Sequence, residues 1–201
     1  AGVELYGFKG IDADIEVIVL MLSSLKLLNL SSITLSLGNT AIFNALCASA
    51  NLNNDDKSIL RDIFRRKSIP DLDGFLNQKK LKESDKFKAL ISLDGDEKIL
   101  EDALEIFQDI PLVIEAINDL RKLYDFFKDQ DVDLMFDLGE VKAYEYHDGI
   151  VFAAYSDQFS KALAQGGRYD GLSESFDSTR EATGFSFDLK FLIHQQIYKN
   201  K

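Results

Sequence analysis

Cys47 is the only cysteine among 201 residues. That excludes an internal disulfide and makes a reducing compartment, here the cytoplasm, the expected location. Histidine is almost as scarce. His147 and His194 are the only two, and neither has a second histidine or cysteine three or four residues away, so no metal site is expected. Basic side chains are too few for a nucleic-acid partner: 23 Lys and Arg stand against 34 Asp and Glu, a formal charge of −11. Gripping a phosphate backbone takes clustered cations. The longest stretch dominated by apolar residues, Ile15–Leu22 with Glu16 inside it, falls far short of the ~20 residues that cross a bilayer. The first residues also lack the basic-then-apolar pattern of a secretion signal. No membrane partner is expected. Gly-x-Gly-x-x-Gly, a phosphate-loop lysine and a nucleophile elbow are all missing, so no cofactor is expected and nucleotide or acyl chemistry has no local motif.

What is present is ordinary for a folded domain: 46% hydrophobic and 28% charged residues, at a length that suits one domain with an insertion. The opening Ala1–Gly7 reads as a strand without a preceding cap, as if the chain began inside a domain. Asp12 is placed to cap a helix and Asp14 to sit in its first turn. From Ile15 to Leu28 so many residues are apolar that the helix is expected to be buried on most sides. Ile33, Leu35 and Leu37 alternate with polar residues at the period of a strand. Residues 39–128 turn helical, with apolar groups spaced three and four apart, Pro111 at a first helical position, and five or six helices in all. Strand character returns at Val132–Leu138 and again from Tyr144 to Tyr155, where Asp148-Gly149 signals a hairpin. A further strand is expected over Ser160–Ala164 and a closing helix after Phe187. These elements predict an α+β fold: an antiparallel sheet flanked by helices, built from residues 1–38 and 130–201, with a helical insertion at 39–129.

One segment stands apart. Gly166-Gly167-Arg168-Tyr169-Asp170-Gly171-Leu172 places two glycines where backbone can approach closely or take positive φ. In extended chain Arg168 and Asp170 face one way and can pair, while Tyr169 faces the other, toward a pocket. Taken by themselves, these residues are better explained by a tight turn with an internal ion pair, because Gly and Asp dominate turns.

The segment resembles the signature of histidyl-tRNA synthetases and their paralogues, of the class II synthetase type. Lys142-Ala143-Tyr144-Glu145-Tyr146-His147-Asp148-Gly149-Ile150-Val151-Phe152 is similar to their histidine-specific stretch. Ala182-Thr183-Gly184-Phe185 through Leu192 is similar to their third class II motif, and Gly2–Gly7 with Asp12–Ile18 to the end of the second motif and its following helix. The first motif and the arginine-bearing part of the second have no counterpart. The resemblance implies a histidine pocket: Glu4 at the glutamate that meets the amino acid's ammonium, with Tyr146, His147 and Tyr169 around the side chain. Gly166, Gly167, Arg168 and Asp170 would support it structurally.

The departures bear on activity. Lys142 stands where the family carries an arginine, and a lysine lacks the planar fork that grips carboxylate and phosphate. Phe191 replaces the arginine that packs on adenine, and Asp188 puts a carboxylate where glycine is usual. Losing one such preorganised group costs ~3–4 kcal/mol of transition-state stabilisation, so adenylation is not expected and no catalytic residue is assigned. Tyr146–Tyr155 is most similar to the branch that serves as regulatory subunit of ATP phosphoribosyltransferase. That branch implies a short-form catalytic subunit as partner, a role in the first step of histidine biosynthesis and its feedback inhibition, histidine as ligand, and self-association of the full-length protein. The alternatives are a divergent histidyl-tRNA synthetase and a stand-alone histidine-binding module.

Overall fold

A computed structural model of the chain describes residues 1–28, 32–141, 147–170 and 181–193. Seven strands form one sheet in the order β1-β7-β6-β5-β2-β4-β3: β1 Gly2–Tyr6, β2 Thr34–Asn39, β3 Asp94–Gly95, β4 Asp133–Asp137, β5 Ile150–Tyr155, β6 Ala164–Arg168 and β7 Ala182–Phe187. The α+β class and the period-two strand at 33–37 agree with the sequence. Five of the strand pairings are antiparallel, and β2 with β4 is parallel. The physical reason is the long connection. Between β2 and β4 the chain runs through six helices, which return it to the same end of the sheet, as a parallel pair requires.

These helices are α2 Thr40–Ser49, α3 Asn54–Arg65, α4 Ile69–Lys79, α5 Ser84–Leu90, α6 Lys98–Ile106 and α7 Pro111–Phe127. Asn39 ends β2 and caps α2, its side chain accepting from Ala41 N–H at 3.0 Å. Asn53 caps α3 through Asp56 N–H at 2.9 Å, and Pro111 opens α7. Each cap satisfies a donor that the first turn cannot bond internally.

The helix following β1, α1 Ile11–Lys26, differs from expectation in two ways. Its cap is Gly10, at φ 86°, rather than Asp12, which joins Asp14 in the first turn. It also buries one stripe, Ala13, Asp14, Val17, Ile18, Met21, Leu22 and Leu25, while Val19 and Leu20 are exposed on the outer side. Composition had suggested burial all round, but only one face meets the sheet.

Register divides the sheet's two faces. Val3, Phe185, Phe152, Leu37 and Phe136 lie in one cross-strand row; all but Val3, which is exposed at the edge, are buried in the apolar core beneath α1 and α7. The next row on the opposite face reads Glu4, Gly184, Gly167, Val151, Gly38, and the one after it Gly2, Ser186, Gln165, Ala153, Ser36, Met135. That face is lined by small and polar side chains, and among the described residues Glu4, Ser186, Gln165 and Met135 are exposed on it. The strand expected at 160–164 is displaced to β6. Asp148-Gly149 leads into β5, while residues 144–146 of the other arm of the expected hairpin lie outside the described residues.

Candidate functional site

The open face owes its shape to glycine. A Cβ at Gly184 would overlap the Glu4 carboxylate and the Val3 carbonyl, and one at Gly167 would stand 2.8 Å from the His147 ring. With hydrogen at both positions, Glu4 lies across the sheet and His147 packs down on it, 6% exposed. Close approach is therefore the role of Gly167; neither it nor Gly166 takes positive φ. Gly166 faces the helices instead, where a Cβ would strike the Phe152 ring at 2.8 Å.

Glu4, Tyr6, Tyr169 and His147 converge here. The Tyr169 hydroxyl donates to a Glu4 carboxylate oxygen and lies 3.5 Å from the Tyr6 hydroxyl. The His147 and Tyr169 rings meet edge to face, centroids 6.2 Å apart. Burial, followed by the bond to Glu4, pushes the Tyr169 phenol well above its ordinary pKa, so it remains a donor at every physiological pH. A carboxylate bonded to one phenol, with a second phenol and an imidazole ring next to that phenol, suits a ligand bearing an ammonium or imidazolium group.

Arg168 and Asp170 form the anticipated ion pair at 3.1 Å, and Tyr169 faces the opposite way. The structure adds more than the turn reading foresaw. Arg168, 8% exposed, donates Nε to Asp14 at 3.1 Å and Nη2 to the Gly10 carbonyl at 2.9 Å. Asp170 accepts from Ala182 N–H at 3.0 Å, and its own N–H donates to Asp148 at 3.0 Å. One buried guanidinium thus ties the start of α1 to the ends of β6 and β7, beneath the residue that holds Glu4.

Tyr146, Lys142, Gly171, Leu172 and His194 lie outside the described residues. Asp188 caps a helical turn at 189–193, accepting from Phe191 N–H at 3.0 Å. The Phe191 ring packs edge-on against Phe159, centroids 5.9 Å apart. Both residues have structural partners at this end of the sheet.

Sequence reasoning passed over Tyr6, Ser36, Glu140, Tyr155 and Gln165. Next to His147, residues that include Ser36, Gly38, Glu140, Val151, Ala153, Tyr155 and Gln165 line a half-open hollow of about 210 Å³. The available signal was period two: Tyr6 follows Glu4 by two residues, and Ser36, Gly38 and Ala153 are small residues on alternating positions.

Similar proteins follow the same lines. The ATP phosphoribosyltransferase regulatory subunit of Thioalkalivibrio sulfidiphilus is 38% identical over 96% of this chain and 50% of its own length. A Bacillus halodurans structure described as an ATP phosphoribosyltransferase regulatory subunit/histidyl-tRNA synthetase superposes with TM-score 0.82 at 30% identity, covering 97% of this chain and 52% of that one. An ATP phosphoribosyl transferase complex from Thermotoga maritima shares the fold at TM-score 0.71 and 18% identity, over 92% of this chain and 64% of that one. The chain spans about half the length of the curated relatives it matches. The family model for histidyl-tRNA synthetase matches residues 1–192, and the chain belongs to that family.

Proposed function

We propose that the chain serves in a non-catalytic regulatory subunit of ATP phosphoribosyltransferase, supporting the first step of histidine biosynthesis and its feedback inhibition. The observation that carries this reading is the 38% identity to regulatory subunits along nearly the whole chain. Its partner is the short-form catalytic subunit, and the full-length protein self-associates. Histidine occupies the open face, its cationic group on Glu4 and its ring beside Tyr169 and His147. The geometry supports a ligand of that charge through the Tyr169–Glu4 hydrogen bond.

Adenylation is not part of the proposal. Phe191 offers a ring but no charge to a triphosphate, and Asp188, committed to capping the turn beneath it, adds a negative one. A subunit that binds histidine without activating it is suited to reporting histidine to a partner.

Mixing the protein with the short-form catalytic subunit is expected to change the rate of phosphoribosyl-ATP formation and its inhibition by histidine. Unchanged rate and unchanged inhibition reject the proposal. Histidine-dependent exchange of pyrophosphate into ATP by this protein alone would also reject it, in favour of a synthetase.

A further inference from the structure

A cleft of about 490 Å³ lies where α2, α7 and the first turn of α1 meet the ends of β5 and β6. Two helix faces flank it. From α2 come Ala41, Asn44, Ala45 and Ala48, and from α7 come Leu112, Glu115, Ala116 and Asp119. Both sets keep the i, i+3, i+4, i+7 spacing of a single helical face, so each wall runs for about two turns, ~10 Å. Small side chains make the depth. Three alanines on α2 and one on α7 stand where larger residues would close the gap. The bond from the Asn39 amide to the Ala116 carbonyl fixes the two walls relative to each other. Leu112, 63% exposed, adds an apolar rim.

Charge decides what fits. Arg168 is the one basic residue among the described lining residues, and Asp14, Asp170 and the Gly10 carbonyl already hold its guanidinium. An anion would gain little from it. Arg61, beyond Asn44, donates to that side chain at 2.9 Å and lies over the Phe43 ring. Along α7 the balance is acidic. Glu115 is exposed and makes no ion pair among the described residues. Lys122 is bound by Asp119 at 2.8 Å; that bond raises its pKa first, and the nearby Glu115 and Asp12 carboxylates add to it. One lysine thus answers three carboxylates. An alanine floor under an acidic rim, two turns long, is the complement of a short helix with aliphatic residues on one side and cations beside them.

We propose that this cleft seats a basic amphipathic helix of the catalytic partner subunit, its aliphatic side chains against the alanines and its lysines or arginines on Glu115 and Asp119. The inference rests on the regulatory-subunit reading and adds the surface through which the two subunits join. Its place in the fold suits that role. Arg168 and Asp170 line one end of the cleft, while Tyr169 between them bonds Glu4. A partner seated there touches the strand end that carries the histidine site.

Calorimetric titration of the full-length protein with the short-form catalytic subunit tests this in wild type, Glu115→Lys, Ala48→Trp and Glu105→Lys. Glu105, exposed on α6 away from the cleft, controls for the change in net charge. Glu115→Lys should weaken binding about ten-fold, since like charges then face each other, and should flatten its dependence on salt. Ala48→Trp should weaken it at least as much by filling the cleft, and Glu105→Lys should leave it unchanged. If the tryptophan variant fails to fold, Glu115→Lys decides alone. Wild-type affinity in Glu115→Lys, or equal weakening in Glu105→Lys, would overturn the docking site while leaving the regulatory reading in place. No binding by the wild type would overturn both. Self-association of the wild type that Glu115→Lys and Ala48→Trp abolish would assign the cleft to a second copy of the chain and overturn the proposal.

Discussion

Arg168 and Asp14 are the most consequential pair of single residues in the molecule, because both are buried and each is the other's counter-charge. Burial raises the Asp14 carboxyl above its ordinary range, outweighing Arg168's pull in the other direction. For Arg168, burial works to lower the pKa, but Asp14 and Asp170 prevail and raise it. Arg168→Met therefore strands a buried carboxylate and should cost ~3–5 kcal/mol, read by urea denaturation. The pH dependence follows from the direction of the Asp14 shift. A carboxyl with a raised folded pKa favours folding when protonated, so its contribution is present below the ordinary carboxylate pKa and lost as pH climbs through the raised value. The variant's deficit should be smallest in acid and grow toward neutrality. Gly184→Ala gives a second test. Its methyl would collide with the Glu4 carboxylate and the Val3 backbone, so histidine binding, measured by calorimetry, should be lost together with some thermal stability. Cys47 is the quiet counterpart: fully buried, its thiol pushed up to about 12 by burial. Alkylation by iodoacetamide at neutral pH should proceed only as fast as the protein opens.

Among the elements, the junction of β2 and α2 joins the helical segment to the sheet. Asn39 caps α2 through its oxygen and donates its amide to the Ala116 carbonyl of α7 at 3.3 Å. Thr40, next in sequence, donates to the carbonyl of His147 at 3.1 Å. One cap thus fixes α2, α7 and the segment carrying a site residue. Asn39→Ala should cost ~1–2 kcal/mol, and chemical denaturation would detect it. Helix positions and count were readable along the chain because an amphipathic helix repeats its apolar groups within a few residues. The Asn39 cap was not singled out, although Gly38-Asn39-Thr40 punctuates the pattern. The exposed side of α1 is not legible in the sequence, because Val19 and Leu20 are as apolar as their buried neighbours. Composition does not say which face meets the sheet.

As a whole, the molecule is a sheet with one apolar face under helices and one open face holding the candidate site. Among the described strands, β1 pairs with β7 alone and forms one edge. No described helix is long and apolar enough to cross a membrane. The chain's acidity sets its response to pH. Asp62 is held below its usual range first by Arg65, Asp71 by Arg66, Asp109 by Lys86, Asp125 by Lys128 and Glu181 by Lys9. Their stabilisation is present above the ordinary carboxylate pKa and lost as pH falls through the depressed values. Asp71, Asp109 and Asp125 are exposed and Asp62 and Glu181 partly so, so each contributes little and salt screens it. Thermal melts across the acid range should show a midpoint falling with pH, with a shallower slope at high salt.

Strand and helix types, the Arg168–Asp170 pair, the outward turn of Tyr169 and the family could be read from the chain because each depends on neighbours a few residues apart or on a short run of side chains. Their meeting could not. Glu4 and Tyr169 are 165 positions apart, and only the register of β1, β7 and β6 brings them within a hydrogen bond. The parallel β2–β4 pair, the Asp14 partner of Arg168 and the Glu140 cavity arise in the same way, from strands and helices aligned across long loops. Local periodicity says which side of an element is apolar; which elements share that side is settled by closing those loops and packing one core.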